Sequence, residues 1–240
     1  MLDLHCHILP GLDDGAETLG VSLEMAAAAA SSGVEYIFAT PHCNTHDARK
    51  NYRSPELIAA YRRLQSTLDE NGIPIRILSG AEILARGNFE AHLEADDFMT
   101  LNASRYLLLE FYFDEDPAYM EHCFRAVENA SMVPVVAHPE RYDCVQRSPE
   151  LAELWVARGR VLQVNKGSIL GELGEDAYLS AAVLLRRGLV SVIASDAHHF
   201  YYRNPHMGAL LEALDRRFPE VDPEHLLRTV PMKIAKDQPL

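Results

Sequence analysis

The sequence predicts an α/β protein whose strands run parallel and close, or nearly close, into a barrel. Short runs rich in β-branched and apolar residues alternate with longer helix-like segments, the pattern of βαβ units that joins parallel strands. Seven such units follow one another without an obvious linker, so residues 1–240 read as a single domain. Side chains of metal-ligand type also stand at the C-terminal ends of the predicted strands, the ends that converge on one face of a parallel barrel. An open doubly wound sheet is the alternative that strand counting leaves.

The elements follow in order. Leu2–Cys6 is the first strand, and Thr18–Ser32 a helix whose Ala26–Ala30 run suits a tightly packed face. A strand over Glu35–Thr40 precedes a helix over Ser54–Asn71. There Ser54-Pro55-Glu56 supplies an N-cap with proline in the first turn, and Asn71-Gly72 a stop. Strand Ile75–Ala81 leads to helix Phe89–Glu94, and strand Tyr106–Phe111 to helix Ala118–Ala130. Strand Pro134–His138 leads to helix Pro149–Arg158, ended by Gly159. Strand Val161–Asn165 leads to helix Asp176–Arg187, ended by Gly188. Ser191–Ser195 is the last strand and Pro205–Arg217 the last helix.

Composition narrows the function classes. Hydrophobic residues at 48% and charged residues at 24% are ordinary for a globular chain. The formal charge of −13 argues against a nucleic-acid partner. The most apolar stretches, such as Val133–Ala137, are too short for membrane insertion. Cys6, Cys43, Cys123 and Cys144 make no close pair, and no basic or apolar leader precedes Asp3. A cytoplasmic location follows.

The chemistry is read from the strand ends. The first strand gives Asp3, His5 and His7, the second His42, the third Glu82, the fourth Glu110, the fifth His138, and the seventh Asp196 and His198. Alternation along a strand turns Asp3, His5 and His7 to one side, so the two imidazoles can share an ion. Asp3 is either a ligand or a partner that orients a His ring. Imidazole and carboxylate without thiolate suit Mn, Fe or Zn. An HxH alone is a weak signal; its company at the other strand ends makes the metal reading. His46, His92, His122 and His225 lack such placement and read as surface or packing residues, while His199 and His206 stay open. Arg141 and Arg203 stand beside the site, and their planar donors suit phosphate oxygens.

One motif competes. His42-Cys43 through Arg49 fits the HC-x5-R pattern of cysteine-dependent tyrosine phosphatases. It reads as accidental, because the loop has no glycine, no Ser or Thr follows Arg49, and His42 serves as a ligand.

Together these pieces resemble a family. They include Asp3-Leu4-His5-Cys6-His7, Asp13-Asp14-Gly15, Thr40-Pro41-His42, Gly80-Ala81-Glu82, Leu109-Glu110-Phe111, Ala137-His138-Pro139-Glu140-Arg141-Tyr142, Gln163-Val164-Asn165, Ser195-Asp196-Ala197-His198 and Pro205-His206-Met207. The chain resembles the PHP (polymerase and histidinol phosphatase) superfamily, and within it the bacterial tyrosine-protein phosphatases of capsule and exopolysaccharide operons. The resemblance implies a distorted (β/α)7 barrel with two or three divalent ions, Mn first and Fe or Zn as alternatives. It implies ligands at His5, His7, Asp14, His42, Glu82, Glu110, His138, Asp196 and His198. Asp14 enters only in this way; by itself Asp13-Asp14-Gly15 is a turn or helix entry. Phosphate contacts are implied at Arg141 and Arg203, and a phosphotyrosine protein, a bacterial tyrosine kinase, as partner. The chain departs from the family at Cys43 and at Thr229-Val230-Pro231, which lacks an Asn-Pro.

The expected reaction is phosphotyrosine hydrolysis by metal-activated water. Histidinol phosphate or another small phosphomonoester is the rival substrate. An amidohydrolase-like hydrolase is less fitting, since Glu110 stands where a carboxylated lysine would and the lysine nearest any ligand is Lys166. A catalytically silent metal-binding scaffold is the non-enzymatic rival.

Overall fold

The computed structural model describes residues 1–45 and 50–240. In chain order it has β1 (Leu2–Cys6), α1 (Leu19–Ser31), β2 (Tyr36–Ala39), β3 (His42–Cys43), α2 (Pro55–Glu70), β4 (Arg76–Ser79), β5 (Glu82–Leu84), α3 (Phe89–Glu94) and β6 (Tyr106–Glu110). Then follow α4 (Pro117–Asn129), β7 (Val133–Ala137), α5 (Asp143–Arg147), α6 (Glu150–Ala157), β8 (Val161–Asn165), α7 (Lys166–Leu170), α8 (Glu175–Arg186), β9 (Val192–Ala194), α9 (Gly208–Arg217) and α10 (Val230–Ala235). All pairings between these strands are parallel, in two sheets ordered β1-β2-β4 and β3-β5-β6-β7-β8-β9.

The sheets meet where chemistry was expected. Asp196 N donates to His5 O at 2.8 Å and His7 N to Ala197 O at 2.9 Å, so the segment after β9 continues beside β1. An isolated parallel bridge, Cys6 to Ala197, lies between these bonds.

The second and third predicted strands are present as β2 and β4, and beyond each the chain resumes as a further short strand, β3 and β5. Pro41 removes a ladder donor between β2 and β3. Gly80 separates β4 from β5, and a Cβ there would lie 2.9 Å from Leu101 and 3.1 Å from Thr40. The Tyr61 hydroxyl donates to Gly80 O at 2.5 Å and pins the break. Each break re-aims the chain, so β3 opens with His42 and β5 with Glu82, paired side by side.

Strand pleating sorts the core. Tyr106, Leu108, Val135, Ala137, Val161, Val192 and Ala194 form one apolar cluster with Val230 and Ile234 of α10. On β8 the face that begins at Val161 continues to Gln163 and Asn165. On β6 the face of Tyr106 and Leu108 ends at Glu110. Leu107, Leu109, Val136, Leu162, Val164 and Ile193 join the larger cluster, which takes in buried residues of α1, α2, α4, α8 and α9. Removing one such leucine costs about 2–5 kcal/mol. The departure at Thr229-Val230-Pro231 leaves packing intact, since Val230 and Pro231 are buried.

Helix ends follow the sequence signals. Thr18 Oγ1 accepts from Val21 N at 3.3 Å and Ser54 Oγ from Leu57 N at 3.1 Å, each capping its helix. The last predicted helix begins later than expected, at Gly208 rather than Pro205. The Lys166 ammonium takes the carbonyls of Asn204 and His206, so that segment is held as a loop. The short helices α5, α7 and α10 lie where no helix was expected. His46 and Arg49, the last residue of the HC-x5-R segment, fall outside the described residues.

Candidate metal centre

β1 brings His5 and His7 together, with Nε2 atoms 3.1 Å apart. Glu82, first residue of β5, puts Oε2 3.2 Å from both of these nitrogens and 3.0 Å from His42 Nδ1. Its Oε1 lies 3.0 Å from His138 Nε2. Glu110 closes the other side, 3.4 Å from His42 Nδ1 and 3.6 Å from His138 Nε2. Asp196 Oδ1 is 3.5 Å from Nε2 of both His5 and His7. Asp14 reaches in from the loop after β1, 3.5 Å from His42 Nε2 and 3.8 Å from His198 Nε2.

These contacts resolve into three overlapping groups: His7, Asp14, His42 and His198; His5, His7 and Asp196; His42, Glu82 and Glu110. Within each, one donor atom per residue lies within 4.8 Å of the others. The sequence-predicted ligands thus all lie in one pocket, with His138 against the third group through Glu82 and Glu110. Asp3 does not: its carboxylate accepts from Ser195 N at 2.9 Å and Ser195 Oγ at 2.5 Å and ties β1 to the end of β9. His199 stacks on Tyr202 at 4.5 Å, and His206 Nδ1 accepts from Gly208 N. His92 pairs with Asp97 and His122 with Glu90, both apart from the donor groups.

The electrostatics are those of a crowded, buried set of carboxylates and imidazoles. Burial alone would raise the Glu82 carboxyl, but His5, His42 and the bond from His138 hold it well below its usual range. Asp196 is likewise lowered against its burial, by His5, His7 and Arg203. Glu110 is pushed up to about 8 by burial and by the charge of Glu82 beside it. Burial and the nearby His7 bring His198 down to about 3. Like groups crowd here at distances that a bound cation relieves.

The residues fit such ions. His42 Nδ1, which faces Glu82 and Glu110, is buried without a hydrogen-bond partner. His42 Nδ1 sits at hydrogen-bond distance from Glu82 yet lacks the geometry of a bond. The donors are nitrogens and carboxylate oxygens only, a set suited to Mn, Fe or Zn.

One residue of this cluster escaped sequence reasoning. Asp13 Oδ2 lies 2.7 Å from His7 Nδ1 and accepts from His42 N at 2.9 Å, while Oδ1 accepts from Gly15 N at 2.9 Å. Burial opposes its charge, but His7 and these N–H groups hold the carboxyl well below its usual range. A carboxylate at this distance favours a proton on His7 Nδ1, which turns Nε2 toward Glu82 and Asp196. Its signal was the Asp-Asp-Gly turn itself. Gly15 is required there, because a Cβ would lie 2.1 Å from His7 O.

The arginines line the edge. Arg203 Nη2 is 2.7 Å from Asp196 Oδ2, and Arg141 Nη1 is 3.8 Å from the same oxygen. Arg141 also lies over the Phe113 ring at 4.3 Å. His138, Asp196 and Arg203 all have positive φ, at 34°, 48° and 44°. Non-glycine residues held there store roughly 1–3 kcal/mol each, as functional sites often do. Cys43, half of the competing motif, is buried with its thiol pushed up to about 12 by that burial, and Sγ donates to Lys50 O at 3.0 Å.

Fold and side chains together define a class: a parallel α/β protein with a buried imidazole–carboxylate pocket suited to divalent cations. The chain belongs to the capsular polysaccharide synthesis CpsB/CapC family, whose model matches residues 1–236. It is 37% identical to the tyrosine-protein phosphatase YwqE of Bacillus subtilis over 218 residues, covering 91% of this chain and 85% of that protein. It is 27% identical over 245 residues to the tyrosine-protein phosphatase CpsB of Streptococcus pneumoniae, covering 99% of each. A crystal structure from work on YwqE and CpsB, described there as metal-dependent tyrosine phosphatases, superposes with TM-score 0.90 at 34% identity, covering 99% of this chain and 95% of that one. A D-hydantoinase structure, 11% identical with TM-score 0.51 over 97% of this chain and 70% of that one, shares the fold alone.

Proposed function

We propose that this protein is a metal-dependent protein-tyrosine phosphatase that acts on a phosphorylated bacterial tyrosine kinase in capsule or exopolysaccharide synthesis. The observation that carries the reading is the convergence of His5, His7, Asp14, His42, Glu82, Glu110, His138, Asp196 and His198 around one pocket edged by two arginines. These nine would hold two or three divalent ions, with Mn first and Fe or Zn as alternatives. When bound, the ions supply Lewis-acid polarisation and a water acidic enough to attack near neutral pH.

The chain's own residues do the rest. Arg141 and Arg203 share one Asp196 oxygen, so a phosphoryl group entering beside it meets two guanidinium forks. Asp13 keeps a proton on His7 Nδ1. Phe113, Tyr201 and Tyr202 are exposed beside the arginines, apolar surface suited to a phenyl ring and its flanking peptide. A phenol leaves with a pKa of about 10, so the pocket needs little acid assistance.

We read the two sheets as one distorted (β/α)7 barrel in a single domain, residues 1–240. β2 with β3, and β4 with β5, serve as single strand units, and the Cys6–Ala197 bridge supports closure. A cytoplasmic site agrees with four free thiols. Among the described residues no helix is long and apolar enough to cross a membrane.

The test is hydrolysis of p-nitrophenyl phosphate, a phosphotyrosine peptide and histidinol phosphate by wild type and Cys43→Ser, before and after chelation and Mn²⁺ re-addition. Activity lost on chelation, restored by Mn²⁺, indifferent to Cys43 and strongest on the peptide is expected. Activity that survives chelation and dies with Cys43→Ser would overturn the metal reading. Preference for histidinol phosphate would overturn the substrate.

A further inference from the structure

Among the predicted strands, β8 alone ends without a metal ligand, yet its pocket-facing residues are polar and fully buried. Gln163 and Asn165 are both 0% exposed. Asn165 Nδ2 donates to Asp196 Oδ2 at 2.6 Å, Gln163 Nε2 to Asn165 Oδ1 at 2.8 Å, and Gln163 Oε1 lies 2.8 Å from His5 Nδ1. Asp196 Oδ2 also receives Arg203 at 2.7 Å, so it acts as an acceptor.

That acceptor gives the series one direction. Reversing the Asn165 amide would set its oxygen against Asp196 Oδ2 at hydrogen-bond distance, two acceptors facing each other. With Asn165 fixed, its Oδ1 must receive an N–H, which turns Gln163 so that Oε1 faces His5. A His5 ring without a proton on Nδ1 would then oppose two lone pairs at 2.8 Å. The main-chain N of Asn165, donating to Glu140 Oε1 at 3.0 Å, holds the strand end in place.

We propose that Gln163 and Asn165 are positioning residues of the metal centre: a one-way amide relay from Asp196 that keeps the proton on His5 Nδ1 and leaves Nε2 as the donor to a cation. It rests on the metal reading above. The relay joins His5 and Asp196, two members of one donor group. It also occupies Asp196 Oδ2, so that Oδ1, 3.5 Å from His5 Nε2 and His7 Nε2, is the oxygen presented to the ion. His7 receives the same instruction directly from the Asp13 carboxylate. The two rings of one His-x-His pair are thus set by different chemistry, a carboxylate for one and a pair of neutral amides for the other.

The test uses the full chain, ¹⁵N-labelled at histidine and loaded with Zn²⁺. Long-range ¹H–¹⁵N spectra are expected to show His5 metallated at Nε2 and protonated at Nδ1. In chelator competition, Gln163→Met, which loses the acceptor at similar volume, is expected to bind one Zn²⁺ per chain about 10–100-fold more weakly. Gln163→Glu, which keeps an acceptor for His5 but sets an oxygen against Asn165 Oδ1, is expected to recover part of that affinity. Metallation of His5 at Nδ1, or wild-type affinity in a folded Gln163→Met, overturns the relay. If Gln163→Met does not fold, the wild-type spectrum decides alone. Wild-type protein that binds neither Zn²⁺ nor Mn²⁺ overturns the metal reading and the relay together, whereas binding through the wrong nitrogen overturns only the relay.

Discussion

The pocket has a floor and a rim, and they are built differently. On the floor, His5, His7, Glu82, His138 and Asp196 are almost completely buried and stand at or just beyond strand ends. Their orientations are fixed by neighbours such as Asp13 and Gln163. The rim consists of Asp14, Arg141, Arg203, Phe113, Tyr201 and Tyr202 on loops and short turns, with Tyr201 80% and Tyr202 64% exposed. A donor set for cations must be rigid to within fractions of an ångström, and strands of a packed sheet provide that. A surface that admits a phosphorylated chain has to be reachable, and loops provide that.

Breaking the floor should cost most. Glu82→Gln removes a carboxylate that three imidazole nitrogens approach through Oε2. A fall in kcat/KM for p-nitrophenyl phosphate on the order of 10³-fold, about 4 kcal/mol, is expected, with metal lost in chelator titration. Full activity and metal content in this variant would mean the floor is not the catalytic centre. On the rim, Arg141→Met and Arg203→Met should each lower kcat/KM about 10–100-fold, the worth of a charge-assisted hydrogen bond, with metal content unchanged.

A smaller effect separates rim from floor. Lys166 is 3% exposed, and its ammonium binds Asn204 O, Asn204 Oδ1 and His206 O, anchoring the loop that carries Arg203. Lys166→Met should lower kcat/KM about tenfold, one good hydrogen-bonding group's worth, without altering metal content. Metal loss in that variant would show that the two regions are not independent. Least affected should be Tyr201→Ala and Tyr202→Ala, with KM for a phosphotyrosine peptide raised about 2–10-fold and none of that seen for p-nitrophenyl phosphate.

The same division decided what could be read from the sequence. His5, His42, Glu82 and Glu110 were legible because strand ends in a parallel sheet converge, and β-rich runs mark those ends. Asp14 was legible only through resemblance, since a loop residue has no periodicity to place it. Asp13 was passed over because a carboxylate beside Gly15 reads as turn chemistry, and its bond to His7 depends on how the loop folds back. Gln163 and Asn165 were seen as a motif without a role, because amide direction appears only once Asp196 is in place. The breaks at Pro41 and Gly80 carried the ordinary punctuation of proline and glycine. What was missing was knowledge that the chain resumes as strand beyond them. Lys166 was noticed only as a lysine near a ligand, while its partners lie 38 and 40 residues away.

Asp3 and Ser195 bond to each other across 192 positions of sequence. The pocket therefore has no existence in the first half of the chain: His5 and His7 are made early, but Asp196 and His198 come near the end. During synthesis a growing chain would carry a His-x-His pair able to catch a metal loosely, long before its remaining ligands emerge. Contacts of such long span carry a large loop-closure cost, and here they seat the strand whose end completes the donor set. The complete donor set is thus a property of the finished chain, assembled only when its two ends have met.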